Sequence, residues 1–98
     1  MNSVCVLIPA DHPSVAGHFP GNPIIPGAVL LSEVVAAWQE TSDNTQSVVT
    51  LRTAKFLSPT RPGDRVAIQF DQQATGSVKF ICLVGATVVA SGTLSVTP

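Results

Sequence analysis

Tyrosine is absent, tryptophan and methionine occur once each, and only 11 % of the 98 residues are charged. Arg52, Lys55, Arg61, Arg65 and Lys79 are the only bases, set against six acids, for a formal net charge of -1. So few cations, with no cluster of them, argue against a nucleic-acid partner. Cys5 and Cys82 are the only cysteines, and each sits in an apolar run. There is no Cys-x-x-Cys, no His/Cys cluster and no ligand spacing for a metal. Both thiols are therefore expected to be reduced and in the core. No glycine-rich phosphate loop is present. No apolar run approaches the ~20 residues that span a bilayer. Met1 to Pro9 has neither the basic residues nor the cleavage site of a signal peptide. A cytoplasmic chain without a membrane span is expected.

What the chain has is apolar surface. Hydrophobic residues make up 45 % of it, yet a chain this short buries only about 65 % of its unfolded surface. One domain spanning 1–98 is expected. A partner, most simply a second copy, is expected to cover part of the excess.

Gly17 to Glu33 concentrates the unusual residues. It holds three of the seven glycines and three of the eight prolines. His18, one of two histidines, stands at its front. Pro20, Pro23 and Pro26 fix their own φ and restrict the residue before each. Gly21 and Gly27 allow turns or close backbone approach. The segment is stiff without being helix or strand, and it ends where a helix begins. Such a segment suits holding one side chain, His18, beside the amides that follow Pro26-Gly27. The other histidine, His12, reads as a solvated loop residue.

Val4 to Ile8 reads as a strand ending before Pro9. Ala28 to about Gln39 reads as a helix with no internal Gly or Pro. Its residues Val29, Leu30, Leu31, Val34, Val35, Ala36, Ala37 and Trp38 go nearly all the way round, so a buried helix is expected. Only Ser32 and Glu33 interrupt it. Beyond the polar stretch Thr41 to Gln46 the period changes to two. Strands are expected from Ser47 to Phe56, Arg65 to Phe70, Ser77 to Val84 and Thr87 to Val96. Turns fall at Ser58-Pro59, Pro62-Gly63-Asp64, Gln73 to Gly76 and Gly85-Ala86. Short connections imply antiparallel pairing. One helix against one antiparallel sheet makes an α+β domain.

Gly17-His18-Phe19-Pro20-Gly21, then Pro23, then Pro26-Gly27, resembles the signature of the hotdog-fold 3-hydroxyacyl-[acyl-carrier-protein] dehydratases of fatty acid and polyketide-like synthesis. Lys55-Phe56-Leu57-Ser58-Pro59, followed by Arg61-Pro62-Gly63-Asp64, is similar to the strand and turn those enzymes carry after the helix. The resemblance implies an antiparallel sheet wrapped around one central buried helix. It also implies a homodimer joined edge to edge, or a higher oligomer of such dimers, with active sites at the subunit interface. The implied substrate is a 3-hydroxyacyl thioester on the phosphopantetheine arm of acyl carrier protein. The implied reaction is loss of water to a trans-2-enoyl thioester, with no metal or organic cofactor of the enzyme's own.

Eliminating water needs a base for the carbon beside the carbonyl, a donor for the carbonyl oxygen, and an acid for the departing hydroxyl. An imidazole titrating near ~6.5 makes His18 suitable as the base. In the family a backbone carbonyl orients its other ring nitrogen, and the matching position is Ile24. Gly27, at a helix start where amides lack intrahelical partners, suits the carbonyl oxygen. The acid departs from the pattern. The family has Asp or Glu five residues after the last motif glycine; here that position is Ser32, and Glu33 follows it. Helix neighbours point about 100° apart, so three readings stay open. Ser32 holds a water that delivers the proton; Glu33 reaches the site through a rotated helix; or the chain binds acyl thioesters without dehydrating them. Ser32 bonding back to a carbonyl one turn earlier is the plain structural alternative. Phe19, Pro20, Ile24, Pro26, Leu30 and Phe56 are the candidate substrate contacts, and Arg61 and Arg65 are candidate contacts for an acidic carrier. A hotdog thioesterase and a non-catalytic acyl-thioester-binding hotdog subunit are the competing functions.

Overall fold

The computed structural model describes residues 2–8, 25–41, 48–74 and 76–97. The elements are β1 (Asn2–Leu7), α1 (Gly27–Thr41), β2 (Val48–Phe56), β3 (Arg65–Ala74), β4 (Ser77–Val84) and β5 (Thr87–Thr97). The strands form one antiparallel sheet in the order β1-β3-β4-β5-β2. Element types and order follow the sequence expectation. The β3–β4 turn is tighter than expected, because β3 continues to Ala74 and β4 begins at Ser77.

Period-two patterning fixes which face of the sheet is inside. Val66, Ile68 and Phe70 of β3 are buried, as are Val78, Phe80 and Cys82 of β4. Register carries this face across the sheet: Ile68 pairs with Cys82, Cys82 with Ala90, and Ala90 with Phe56. In the next row Phe70 pairs with Phe80 and Phe80 with Gly92. Gly92 is small for a steric reason. A Cβ there would lie 2.7 Å from the Phe80 ring and would collide with the Thr53 carbonyl.

The helix lies against this face through Leu30, Val34 and Ala37, all buried with the sheet residues in one core. Trp38 meets Phe70 edge to face, with centroids 5.2 Å apart, a favoured aromatic geometry.

Three expectations need correction. The helix is not buried all round: Ala28, Ser32, Ala36 and Gln39 are exposed. A single sheet layer covers one side of a helix, and the opposite side of this one stays open. Strand β2 is exposed along nearly its whole length and shows no alternation of burial. It is one of the two edges of the sheet, β1 being the other, and Val48 and Phe56 are 58 % and 51 % exposed. Cys82 is in the core, but Cys5 is exposed, because it shares the outer face with its partner Ala67 while neighbours Val4 and Val6 face in. Burial pushes the Cys82 thiol up to about 12.

Candidate functional site

The helix start is built by its preceding proline. The Pro26 carbonyl accepts from the amides of Val29 at 3.0 Å and Leu30 at 3.3 Å. The amides of Gly27 and Ala28 come before these, in the first turn, where a helix supplies no intrahelical partner of its own. They stand at the positive end of the helix dipole.

In front of Gly27 is a cavity of about 440 Å³, whose walls include Ile25, Gly27, Leu30, Phe56, Ser58 and Thr60. Three residues chosen from sequence, Gly27, Leu30 and Phe56, thus come together in one place. Glycine at 27 makes room for the ring of Phe56: a Cβ would sit 2.6 Å from its Cζ and 3.0 Å from both Cε atoms. Phe56 reaches the cavity from the end of the edge strand and is half exposed.

The floor is a clamped turn. Leu57 and Ser58 donate their amides to the Val89 carbonyl at 2.9 and 3.3 Å. The Thr60 carbonyl accepts from the Ile25 amide at 2.7 Å, two residues before the helix. The Arg61 amide donates to Asp64 Oδ2 at 2.8 Å. The turn is then fastened to the end of β1, through Ile8 N to Asp64 O at 3.0 Å and Gly63 N to Ile8 O at 2.7 Å. The cavity wall is therefore positioned from β5, from the chain entering the helix, and from β1. Sequence reading identified Ser58-Pro59 and Pro62-Gly63-Asp64 as turns but gave no site role to Thr60. No local pattern reveals it, because its place depends on the distant Ile25. Thr60 is 3 % exposed, and its hydroxyl has no hydrogen-bond partner. Leaving such a group unsatisfied costs about 1–3 kcal/mol.

Ser32 stands elsewhere. It lines a second groove of about 440 Å³ with Ala28, Leu31, Val35, Ala36 and Leu51, on the open side of the helix. Its hydroxyl donates to the Ala28 carbonyl at 3.0 Å, the plain alternative raised above. Glu33 is half-buried and lines neither space. Within one chain, then, the acid candidates and Gly27 are not gathered into one pocket. Pro26 is half-buried beside Gly27. His18, Phe19, Pro20 and Ile24 lie outside the described residues, as does His12. Among the described residues, no three His, Cys, Asp or Glu side chains come close enough to hold a metal. No described helix is long and apolar enough to cross a membrane.

Comparison with known proteins gives this geometry a context. Residues 2–93 match the family model described as ApeI-like, ApeI dehydratase. The chain is 37 % identical over 98 residues to the 3-hydroxyacyl-[acyl-carrier-protein] dehydratase FabZ of Wolbachia sp. subsp. Drosophila simulans, covering 87 % of this chain and 67 % of that protein. It is 31 % identical over 84 residues to the FabZ of Ehrlichia canis, covering 74 % of this chain and 57 % of that protein. Among solved structures, a chain of the dehydratase heterocomplex ApeI:P from Xenorhabdus doucetiae superposes with a TM-score of 0.80 at 16 % identity, covering 98 % of this chain and 86 % of that one. The fold is the hotdog fold.

Proposed function

Starting from the fact that the chain belongs to the ApeI-like dehydratase family, we propose that it removes water from 3-hydroxyacyl thioesters to give trans-2-enoyl thioesters. The observation that carries this is the mostly apolar cavity lined by Gly27, at the helix start, with Leu30 and Phe56. An acyl chain needs apolar walls, and a thioester carbonyl that gains charge needs a fixed donor beside it. One such donor is worth roughly 3 kcal/mol of barrier.

In the proposed cycle His18 takes a proton from C2, with its tautomer held by the Ile24 carbonyl. The C2–H electron pair forms the C2=C3 double bond as the C3–O bond breaks. The Gly27 amide stabilises the carbonyl oxygen meanwhile. The leaving hydroxide departs as water, taking its proton from a group positioned by Ser32 or from Glu33. Phe19, Pro20, Pro26, Leu30 and Phe56 shape the channel. The chain needs no metal or organic cofactor, and the phosphopantetheine arrives with the substrate on acyl carrier protein. Exposed Arg61 and Arg65 are suited to an acidic carrier. Residues 1–98 act as one cytoplasmic domain.

We also propose a homodimer, or an oligomer of dimers, joined through β2. An exposed edge strand of nine residues is a template for antiparallel pairing with a second copy. The open face of the helix, with Ser32 on it, would then meet the partner subunit.

A second reading is favoured by one observation: the side chain at the acid position is a serine whose proton is already given to Ala28. On that reading the chain is a non-catalytic acyl-binding subunit of a mixed hotdog dimer. A hydration assay on a 2-enoyl thioester separates the two. Wild type is expected to be active, His18→Ala inactive and Ser32→Asp faster. Glu33→Gln inactive but folded would assign the acid to Glu33. An inactive wild type on every chain length and carrier would leave only the second reading.

A further inference from the structure

Asp64 lines neither the cavity nor the groove, and the dehydratase chemistry gives it no work. Three bonds of the cavity floor nevertheless meet at it. Its amide donates to the Arg61 carbonyl at 3.1 Å, and its carbonyl accepts from the Ile8 amide at 3.0 Å. Its Oδ2 accepts from the Arg61 amide at 2.8 Å. The first two are main-chain bonds and ask little of the residue type. The third requires an acceptor on the side chain, and a carboxylate bonded to an amide makes one of the stronger kind.

The Arg61 N–H and the Thr60 carbonyl belong to one peptide unit, which is planar and rigid. Holding the N–H therefore aims the carbonyl. That carbonyl accepts from the Ile25 amide at 2.7 Å. Ile25 is buried, as is Thr60. Only Pro26 separates Ile25 from Gly27. Proline fixes its own φ and restricts the residue before it, so little slack remains between the Ile25 amide and the helix start. The other end of the floor is held independently, by Leu57 and Ser58 on the Val89 carbonyl. We propose that the Asp64 carboxylate positions the Gly27 amide for the reaction, acting through the Thr60–Arg61 peptide and Ile25. This deepens the function proposed above and rests on its assignment of Gly27 as donor to the carbonyl oxygen. Asp64 is a positioning residue and touches neither substrate nor the transferred protons.

The test uses the full chain and a 2-enoyl pantetheine thioester, so that contacts with a carrier protein play no part. Hydration kinetics are read beside the amide resonances of Ile25 and Gly27 in nitrogen-edited NMR spectra. Asp64→Ala removes the acceptor. It is expected to lower kcat at least about tenfold with KM nearly unchanged, because a misaimed donor is felt mainly in the transition state. Both resonances are expected to move. Asp64→Asn keeps an acceptor oxygen without the charge, and should return kcat and both resonances towards wild type. Asp64→Ser, with a shorter acceptor, is expected to show the alanine pattern to a lesser degree, and it carries the test if Asp64→Ala does not fold. A residue that served stability alone would lower the melting temperature and leave kcat of the folded protein and the Gly27 resonance unchanged. That result overturns the proposal. An equal loss in Asp64→Asn also overturns it, by assigning the effect to charge. A wild type inactive on every enoyl thioester sinks the dehydratase function, and the Gly27 resonance then decides by itself whether Asp64 places the helix start.

Discussion

Replacing Gly27 with alanine changes one methyl group, and the structure gives the consequence some precision. The new Cβ would stand 2.6 Å from Cζ of Phe56 and 3.0 Å from both Cε atoms. Carbon atoms rest at about 3.5–4.0 Å, so the ring must retreat by about an ångström. Phe56 is half exposed, and a half-exposed ring at a strand end has somewhere to go. Overpacking in a closed core costs about 1–3 kcal/mol; here most of that is avoided by ring movement. Alanine in place of glycine in a helix returns up to about 1 kcal/mol. The two effects nearly cancel, and a net change within about 1 kcal/mol moves the melting temperature by no more than about 4–8 °C in a chain of this size. Activity is a different matter. The amide remains, but methyl and displaced ring both intrude on the cavity in front of it. A geometric error of this size is expected to lower kcat/KM for enoyl-thioester hydration by about a hundredfold. Gly27→Ala/Phe56→Ala removes the collision and should recover much of the loss, with a coupling of about 0.5–3 kcal/mol between the sites. The assay is disappearance of the conjugated enoyl thioester, read beside a thermal melt. Wild-type kinetics in Gly27→Ala would show that the thioester does not lie in front of residue 27.

Gly92→Ala has nowhere comparable to yield, because its Cβ meets the Thr53 backbone carbonyl and the Phe80 ring at 2.7 Å. It is expected to cost at least about 2 kcal/mol, read as a lower denaturant midpoint, and a midpoint near that of wild type would contradict the tight β2–β5 contact. Cys5 is exposed and Cys82 buried, so a thiol reagent at neutral pH should label one site in the native protein and two in denaturant. The Cys82 thiol ionises near 9.0 when unfolded and is raised to about 12 by burial. Its contribution is therefore complete below about pH 9 and fades as pH rises through that window. The unfolded chain sheds the proton first, so stability should fall by up to about 1.4 kcal/mol per pH unit there. Cys82→Ala should flatten that slope in equilibrium unfolding.

Much of the fold was legible in the chain because its signals are local. The alternation of Val66, Ile68 and Phe70 marks a strand with one face inside, and the pairing of those residues confirms it. Pro26-Gly27 announces a helix start, and the helix begins at Gly27. Burial was less legible where it depends on what lies across the molecule. Ser32 and Ala36 look enclosed in a sequence of valines and leucines, yet one sheet reaches only the opposite side of the helix. Val49 and Leu51 carry strand periodicity, but an edge strand does not turn periodicity into burial. Cys5 faces outward for the same reason that Val4 and Val6 face inward. Of the candidate site, Gly27, Leu30 and Phe56 line one cavity. Thr60 was invisible because its position comes from a bond to Ile25, and bonds between distant residues leave no pattern in sequence.

The turn that floors the cavity is tied to Ile8, Ile25 and Val89, three points spread over almost the whole chain. Contacts between residues so far apart must wait until the intervening loops have closed, and topologies rich in them fold slowly. The cavity is then among the last features to form during folding. An early compact species, with hairpins β3–β4 and β4–β5 in place, would have much of its sheet and no binding site. Recovery of ligand binding during refolding should therefore lag behind recovery of strand signal, and the lag measures how late the chain's two ends are brought together.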